Sequence, residues 1–245
     1  MSSTPEHVGF IVGEASPEGF IFVARKDKYP PKYDYVYVES EELVYGETRR
    51  VKVLAQVARV LSRSSTYIRD LDYDALERIY RAGIKDSNIL CVARTLGFLV
   101  GEGRNAEVLF PRHAIYPGNR VYYAPDELVG RFFSYSKDEG LHIGYLISRP
   151  EVPVRINING FRRHVAIIAL TGAGKSYTAG VLIEELLEKG ATIIVIDPHA
   201  DYVFLSRTRD GTWSFADRTF VFRNPHSVGR YTKEEIDNVR ELVFK

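Results

Sequence analysis

The chain has 245 residues, of which 45% are hydrophobic, and its formal net charge is +1. That length is sufficient for two domains with separate hydrophobic cores. No apolar run is long enough to cross a bilayer, and the polar start Met1–Thr4 lacks the pattern of a signal peptide, so we expect no membrane segment.

Several residue types are scarce in this chain. Cys91 is the single cysteine, so no disulfide can form within the chain, and we expect a cytoplasmic protein. Gln56 is the single glutamine and Met1 the single methionine, while 27% of the residues are charged. This composition indicates a thermophilic source. The near-neutral charge does not itself predict nucleic-acid binding, although a ring of subunits could concentrate charge in its pore.

Residues 1–150 read as an antiparallel β domain. One helix is predicted over Tyr73–Ala82, with Asp72 as its N-cap and Gly83 after its end. Short apolar or alternating segments between turn-forming residues predict strands over His7–Glu14, Gly19–Arg25, Tyr33–Glu39, Arg50–Leu61, Ile89–Val100 and Arg120–Ala124. Together these elements indicate a small antiparallel β-barrel. Its aromatic residues are expected in the core, and a surface on which bases stack is the alternative.

Residues 151–245 are predicted to begin an α/β domain, with the join between Arg149 and Arg163. Val154–Asn159 alternates like an edge strand. Two β-branched apolar runs, His164–Ile168 and Ala191–Ile196, predict buried parallel strands. Between them, apolar residues at helical spacing predict a helix over Lys175–Lys189, which Gly190 ends.

The segment Ala169–Ser176 matches the phosphate-binding loop G-x-x-x-x-G-K-[ST], except that Ala169 replaces the first glycine. Gly172 and Gly174 permit backbone angles and a close phosphate approach that a Cβ would obstruct. Lys175 supplies a mobile positive charge for the phosphates. Ser176 offers a hydroxyl to Mg²⁺. The alternative is a glycine-rich turn between a strand and a helix that binds nothing.

Asp197 follows the second predicted strand, at the sheet edge where such domains bind ligands. The sequence leaves open whether Asp197 orders water or metal near the phosphates, or caps the turn that Pro198 begins. We interpret His199 and Asp201 as turn residues.

A nucleotide-driven motor also needs a later strand that ends in acidic residues. The one further strand candidate, Thr219–Phe222, ends in Arg223, and Glu234–Asp237 reads as an acidic helical face. The nucleotide domain is therefore expected to be unfinished at Lys245, and this chain alone is expected not to hydrolyse ATP.

A resemblance to a known family rests on the order of these features. After the predicted barrel come His142–Leu146, a hairpin with Val152–Val154, the run His164–Ile167 leading into Leu170–Ser176, and Ile196–His199. In this order they resemble the archaeal HerA translocase family of the HerA–FtsK group. The loop is shared with many ATPases, whereas the order is more specific. The resemblance covers nearly the whole chain but about half of such a protein.

The resemblance implies a barrel of the HAS type followed by the start of a RecA-like P-loop NTPase domain. It also implies a homo-hexameric ATP-dependent helicase that translocates double-stranded DNA. Its expected partner is the NurA nuclease, docked on the barrel, in end resection and repair by homologous recombination. Ala200 and Asp201 depart from the family, which usually has glycine and glutamate there.

By position, the resemblance assigns nucleotide binding to a run of loop residues and to one histidine. They are Thr171, Gly172, Ala173, Gly174, Lys175, Ser176, Tyr177 and His142. Lys175 would act catalytically on the phosphates of ATP, and Ser176 would bind Mg²⁺. For His142, a hydrogen-bonded interface histidine is the alternative.

Two other functions fit the same sequence. A P-loop kinase for a small molecule would need an acceptor site and an arginine-rich lid, which the sequence does not show. A non-catalytic module would use the barrel to bind a partner, with a loop domain that merely folds.

Overall fold

The computed structural model describes residues 6–101, 106–199, 201–205, 212, 214–223 and 240–243. The chain divides into two compact units. The first contains Met1–Ser134 and Tyr145–Val154, and the second contains Tyr135–Gly144 and Arg155–Lys245. These units differ from the predicted domains 1–150 and 151–245 in two segments. Residues 135–144 belong to the second unit, and residues 151–154 belong to the first.

Six strands of the first unit form a closed antiparallel barrel. The strands of this unit are β1 (His7–Ser16), β2 (Gly19–Ala24), β3 (Tyr35–Val44), β4 (Glu47–Arg63), β5 (Asn88–Val100), β6 (Glu107–Leu109) and β7 (Arg120–Tyr123). Their order around the barrel is β2-β1-β7-β3-β4-β5, the pairing of β2 with β5 closes it, and β6 extends the sheet from β5. The predicted barrel and its six predicted strands are confirmed.

The first four residues of β3, Tyr35–Val38, are buried on both faces, which explains their continuous apolar sequence. Val36 and Val38 have no exposed surface and lie in the barrel core. Tyr35 and Tyr37 point to the opposite face, where helix α2 (Asp126–Phe133) covers them through Val129. Burial on both sides removes the polar alternation of a half-exposed strand.

The predicted helix of the first unit is confirmed as α1 (Tyr73–Arg81). The Asp72 carboxylate accepts a hydrogen bond of 2.7 Å from the Ala75 N–H, which satisfies one donor of the first turn. Gly83 follows the helix with a φ of +70°. The cap and the terminating glycine therefore act as the sequence predicted.

Two further strands, β8 (Gly140–Leu146) and β9 (Arg149–Asn157), pair as a hairpin. In the first unit, Arg149 Nε donates to Asp34 Oδ1 over 2.8 Å, and a second nitrogen of its guanidinium donates to Asp126. Ser148 Oγ donates to the Tyr33 carbonyl over 2.9 Å. These bonds fix the tip of the hairpin on the residues that precede β3.

The second unit contains helix α3 (Lys175–Glu188), short 3-10 turns at Ile158–Arg162 and Ala216–Arg218, and the parallel pair β10 (Phe220–Arg223) and β11 (Arg240–Val243). The predicted helix at Lys175–Lys189 is confirmed, as is the strand candidate at Thr219–Phe222. The predicted acidic helix at Glu234–Asp237 lies outside the described residues. None of the helices in the described part of the chain is long and apolar enough to cross a membrane.

The predicted strands His164–Ile168 and Ala191–Ile196 are wrong as elements of this structure, because neither segment forms a sheet ladder. Ile168 is 91% exposed and Ile196 is 94% exposed. A strand needs a neighbour that receives its backbone hydrogen bonds, and the described residues supply none for either segment. The RecA-like arrangement of this unit stays a prediction.

Candidate nucleotide-binding site

The glycine-rich loop begins with a tight turn. The Ala173 N–H donates to the Leu170 carbonyl over 3.1 Å, which closes a four-residue turn. Gly172, the third residue of that turn, has a φ of +80°, which a type II turn requires at this position and which favours glycine. Ala169 is not among the described residues with positive φ, so a methyl group is compatible with the backbone where the motif has glycine.

Helix α3 starts directly after the turn. Gly174 is its N-cap, with a φ of +85° and no side-chain bond to the first turn. No backbone bond of the described residues uses the N–H groups of Lys175, Ser176 or Tyr177, and the first turn has no acidic residue. The helix therefore presents free donors and the positive end of its dipole, which suits an anion.

The space beside the two loop glycines is open. A Cβ built on Gly172 or on Gly174 would meet no atom within 4 Å. Thr171 and Lys175 are exposed, and Tyr177 is 79% exposed. The loop backbone at the two glycines and the Lys175 side chain are therefore both accessible to a ligand.

One acidic side chain lies beside the loop. Ser176 Oγ donates to Asp201 Oδ2 over 3.2 Å. The sequence alone indicates a turn residue at Asp201 and does not predict this contact. Its signal in the sequence is the spacing of an acid four residues after Asp197, close behind the loop in the same α/β unit.

Asp197 caps the turn that follows it. Its Oδ1 accepts from the His199 N–H over 3.2 Å, and its Oδ2 accepts from the Tyr202 N–H over 2.9 Å. Both carboxylate oxygens are thus engaged by backbone donors of the segment that ends next to Ser176. Of the two roles left open for Asp197, these bonds favour the cap, which holds the segment that carries Asp201.

His142 is not brought to the loop in this chain. It lies on β8, and its backbone N–H donates to Glu185 Oε2 over 2.8 Å. Glu185 is ten positions beyond Lys175 in α3, which is about 15 Å along the helix axis. His142 thus lies beside the second half of α3, whereas the other predicted site residues lie at its start.

The oxygen donors for a metal ion are few. The described residues contain no cluster of three or more His, Cys, Asp or Glu side chains that could hold a metal. Ser176 and Asp201 together offer hydroxyl and carboxylate oxygens, which Mg²⁺ prefers. Mg²⁺ usually keeps several waters and binds through one or two protein groups and substrate phosphates. This pair fits that mode of binding, and the open glycines and free N–H groups fit the phosphates.

Comparisons with known proteins point to one family. Residues 141–240 match the model of the HerA helicase central domain. The chain is 32% identical over 210 residues to a DNA double-strand break repair helicase HerA from Pyrococcus furiosus, a match that covers 84% of this chain and 36% of that protein. It is 30% identical over 199 residues to a probable helicase from Methanocaldococcus jannaschii, covering 80% of this chain and 36% of the relative.

A third relative, the DNA double-strand break repair helicase HerA of Saccharolobus solfataricus, is 29% identical over 195 residues, or 80% of this chain and 36% of its own length. The chain thus spans about a third of the length of these relatives. The family model covers the phosphate-binding loop and α3, and the longer matches extend over most of the chain. On this evidence the chain belongs to the HerA helicase family.

Proposed function

We propose that the loop Thr171–Tyr177 binds the phosphates of ATP. The observation that carries this proposal is the N-terminus of α3, where no bond among the described residues uses the N–H groups of Lys175, Ser176 and Tyr177, beside two open glycines. Backbone donors aimed at one point hold a phosphate without side-chain rearrangement. Lys175 adds a charge-assisted contact.

Mg²⁺ is the proposed cofactor, held by Ser176 with Asp201 beside it. When bound, the ion would neutralise phosphate charge. The Ser176 hydroxyl can turn its oxygen toward the ion while its hydrogen stays on Asp201, because one O–H both donates and accepts. Asp201 thereby fixes the orientation of the hydroxyl and offers a further acceptor for a metal-bound water. Lys175 is the residue that stabilises charge on the transferred phosphate.

The whole protein is proposed to be an ATP-dependent helicase that translocates double-stranded DNA as a homo-hexamer. Support comes from the relatives, two of which are named DNA double-strand break repair helicases. The barrel is proposed to contact neighbouring subunits and the NurA nuclease. Its closed sheet and separate core support a domain that keeps its shape as a docking platform.

Titration of the 245-residue protein with a fluorescent ATP analogue tests the nucleotide proposal. Lys175→Ala removes a charge-assisted contact of about 1.5–3 kcal/mol, so affinity should fall by at least about tenfold. Lys26→Ala is the matched control, because Lys26 is exposed and lies on the first unit. Equal affinity of Lys175→Ala and Lys26→Ala would contradict the assignment.

A metal-free arm separates the roles of the loop residues. Ser176→Ala and Asp201→Asn should weaken binding in the presence of Mg²⁺ and leave binding in EDTA unchanged. Lys175→Ala should weaken binding in both. If Ser176→Ala weakened binding equally with and without Mg²⁺, the hydroxyl would contact phosphate and the metal assignment would be wrong.

Gel filtration and cross-linking with purified NurA test the assembly proposal. A binary complex that cross-links through residues of the first unit is expected. No complex, or cross-links confined to the second unit, would contradict docking on the barrel.

A further inference from the structure

The hairpin of β3 and β4 extends beyond β7, the strand that flanks β3 on its other side. Ten residue pairs join Tyr35–Val44 to Glu47–Gln56. The turn consists of Tyr45 and Gly46, whose φ values are +51° and +89°, as in a two-residue type I′ turn. On its other side, β3 is paired with β7 at Val36–Val38 alone. Among the residues that the structure describes, the outer half of β3 therefore has one paired edge and one open edge.

Register identifies the backbone groups on the open edge. In an antiparallel pair, successive residues direct their N–H and C=O groups to alternate sides. The Ala124 N–H bonds the Tyr35 carbonyl over 3.1 Å, so Tyr35 and residues at even spacing from it face away from β4. Glu41 and Leu43 have this orientation, and no backbone bond of the described residues reaches them from outside β4.

The segment that precedes β7 does not follow the outer half of β3, because Gly118 and Asn119 bond to β1 instead. The Gly118 N–H donates to the Ile11 carbonyl over 2.8 Å, and the Ile11 N–H donates to the Asn119 carbonyl over 3.0 Å. Gly118 has a φ of +88°, which this turn requires. The departure leaves a groove of about 450 Å³ between the outer half of β3 and the loop that carries His113 and Tyr116. We call it the β3 groove.

The far wall of the β3 groove is held in place by a buried carboxylate. Glu42 is 2% exposed, and it accepts from the Arg112 N–H over 3.0 Å and from the His113 N–H over 3.4 Å. His113 Nδ1 lies 3.2 Å from the same carboxylate. Bonds from a buried acid to the backbone fix the loop relative to β3, so the groove exists before any ligand arrives.

We propose that the β3 groove binds an extended segment of a partner protein as an added strand on β3. Unpaired N–H and C=O groups of a strand are matched by another extended backbone. Glu41 is exposed, and none of the described ion pairs uses it, whereas Glu39 is paired with Arg50. Leu43 and Tyr116 are 53% and 73% exposed.

The side chains on β3 specify the chemistry of that segment. Glu41 and Leu43 are two positions apart and therefore lie on the same face of β3. Directly opposite residues of an added strand interact most strongly. The segment should carry a lysine or arginine opposite Glu41 and an apolar residue two positions away, against Leu43 and Tyr116. This inference is independent of the nucleotide proposal, because the groove lies wholly in the first unit.

The test uses a fluorescein-labelled peptide, Thr-Val-Thr-Lys-Thr-Thr, and the 245-residue protein. In an antiparallel pair this order places the valine opposite Leu43 and the lysine opposite Glu41. In an antiparallel addition, the N–H groups of the lysine and the valine face β3. N-methylation of those two residues should weaken binding by at least about tenfold, whereas N-methylation of the third and fifth residues, whose N–H groups face away from β3, should leave it within about twofold. Failure of the unmodified peptide to bind at about 1 mM, or equal behaviour of the two methylated isomers, would overturn the proposal.

Two further measurements examine the protein side. Glu41→Lys should weaken binding about threefold to tenfold, and Glu14→Lys, which makes the same change at an exposed site of β1 outside the groove, should not. Hydrogen exchange followed by NMR should show new protection at the Glu41 and Leu43 amides on peptide addition. The Glu42 amide, which already faces β4, should not change. Protection that spreads equally over the three amides, or binding that Glu41→Lys leaves unchanged, would refute strand addition.

Discussion

The ion pair between Asp34 and Arg149, at the tip of the β8–β9 hairpin, provides the sharpest stability prediction. Asp34 Oδ1 accepts two bonds of 2.8 Å, one from Arg149 Nε and one from the Tyr35 N–H. The Asp34 side chain is 10% exposed and the Arg149 side chain 18%. Arg149 also contacts Asp126, whose side chain is 55% exposed. One cation thus has a buried partner and an exposed partner in the same structure.

Asp34→Ala should destabilise the first unit by about 3 kcal/mol. The freed Tyr35 N–H contributes about 1 kcal/mol. Loss of one partner from a buried ion pair costs about 3–5 kcal/mol. The loss of the Asp34–Arg149 pair should cost less than this, because Arg149 keeps Asp126 and some solvent contact. Asp126→Ala should cost about 0.5 kcal/mol, because an exposed partner contributes little.

Urea unfolding followed by near-ultraviolet circular dichroism is the assay. It reports on packed tyrosines, and Tyr37 and Tyr122 stack with ring centroids 5.2 Å apart in the first unit. Double-mutant cycles with Arg149→Ala should give a coupling of about 2 kcal/mol for Asp34 and under about 1 kcal/mol for Asp126. Equal losses for Asp34→Ala and Asp126→Ala would refute the reasoning, since burial would then not determine the strength of the pair.

Three other predictions concern single side chains. Glu185→Ala should make amide hydrogen exchange in β8 about tenfold faster, because the His142 N–H loses its acceptor. Mass spectrometry measures this exchange, and Glu188→Ala, at an exposed position of the same helix, should leave it unchanged. Hydrogen bonds from Ser64 and Ser65 hold the pKa of Asp86 below its ordinary value, so they stabilise the fold above the unfolded pKa of about 4 and this gain is lost as the pH falls further. The urea midpoints of wild type and Asp86→Asn should therefore differ at pH 7 and converge in strong acid; a constant difference would contradict this cause. Burial raises the pKa of Cys91 from its ordinary 9.0 to about 11. At pH 8 this lowers the thiolate fraction about 100-fold, so the reaction with Ellman's reagent should slow at least that much until urea unfolds the protein; rates within tenfold would contradict burial.

The barrel was predictable because its signals are local. Alternation, turn residues and the Asp72 cap each act within a few positions of the chain. The outer half of the β3–β4 hairpin was not predicted, since the charged residues there do not read as a strand. The structure explains two of them by contacts across the fold: Glu39 pairs with Arg50 of β4, and the buried Glu42 accepts from the Arg112 and His113 N–H groups. Neither segment predicts these partners alone.

Helix α2 was missed for a different reason. It has eight residues, it contains Gly130, and Pro125 precedes it. Its stability comes from tertiary packing, because Val129 is fully buried with Val152 and Tyr35 in the second core cluster. Short helices depend on such packing rather than on propensity, and the sequence alone does not show which distant residues cover them.

The loop motif predicted its own turn and helix but not its surroundings. Gly172, Gly174 and Lys175 adopt the local geometry that their spacing indicates. The contact of Ser176 with Asp201 depends on how the segment after Asp197 folds back, which is a tertiary property. The apolar runs beside the loop read as strands because their composition fits a buried sheet, and composition cannot tell whether neighbouring strands are present to pair with them.

The two ends of helix α3 have different roles, and the phosphate-loop motif indicates only the role of its first turn. Its first turn has no acidic residue, and its N-cap Gly174 makes no side-chain bond to it. This is unfavourable for the isolated helix but leaves the backbone donors available to an anion. Its second half holds the segment that enters β8: Lys189 Nζ donates to the Lys137 carbonyl over 2.7 Å, and Glu185 accepts from His142. A ligand that tightened the first turn would therefore act on a helix already tied to His142 of β8. The residues that tie α3 to His142 and to Lys137 are Glu185 and Lys189, which belong to no motif and become visible only through their contacts.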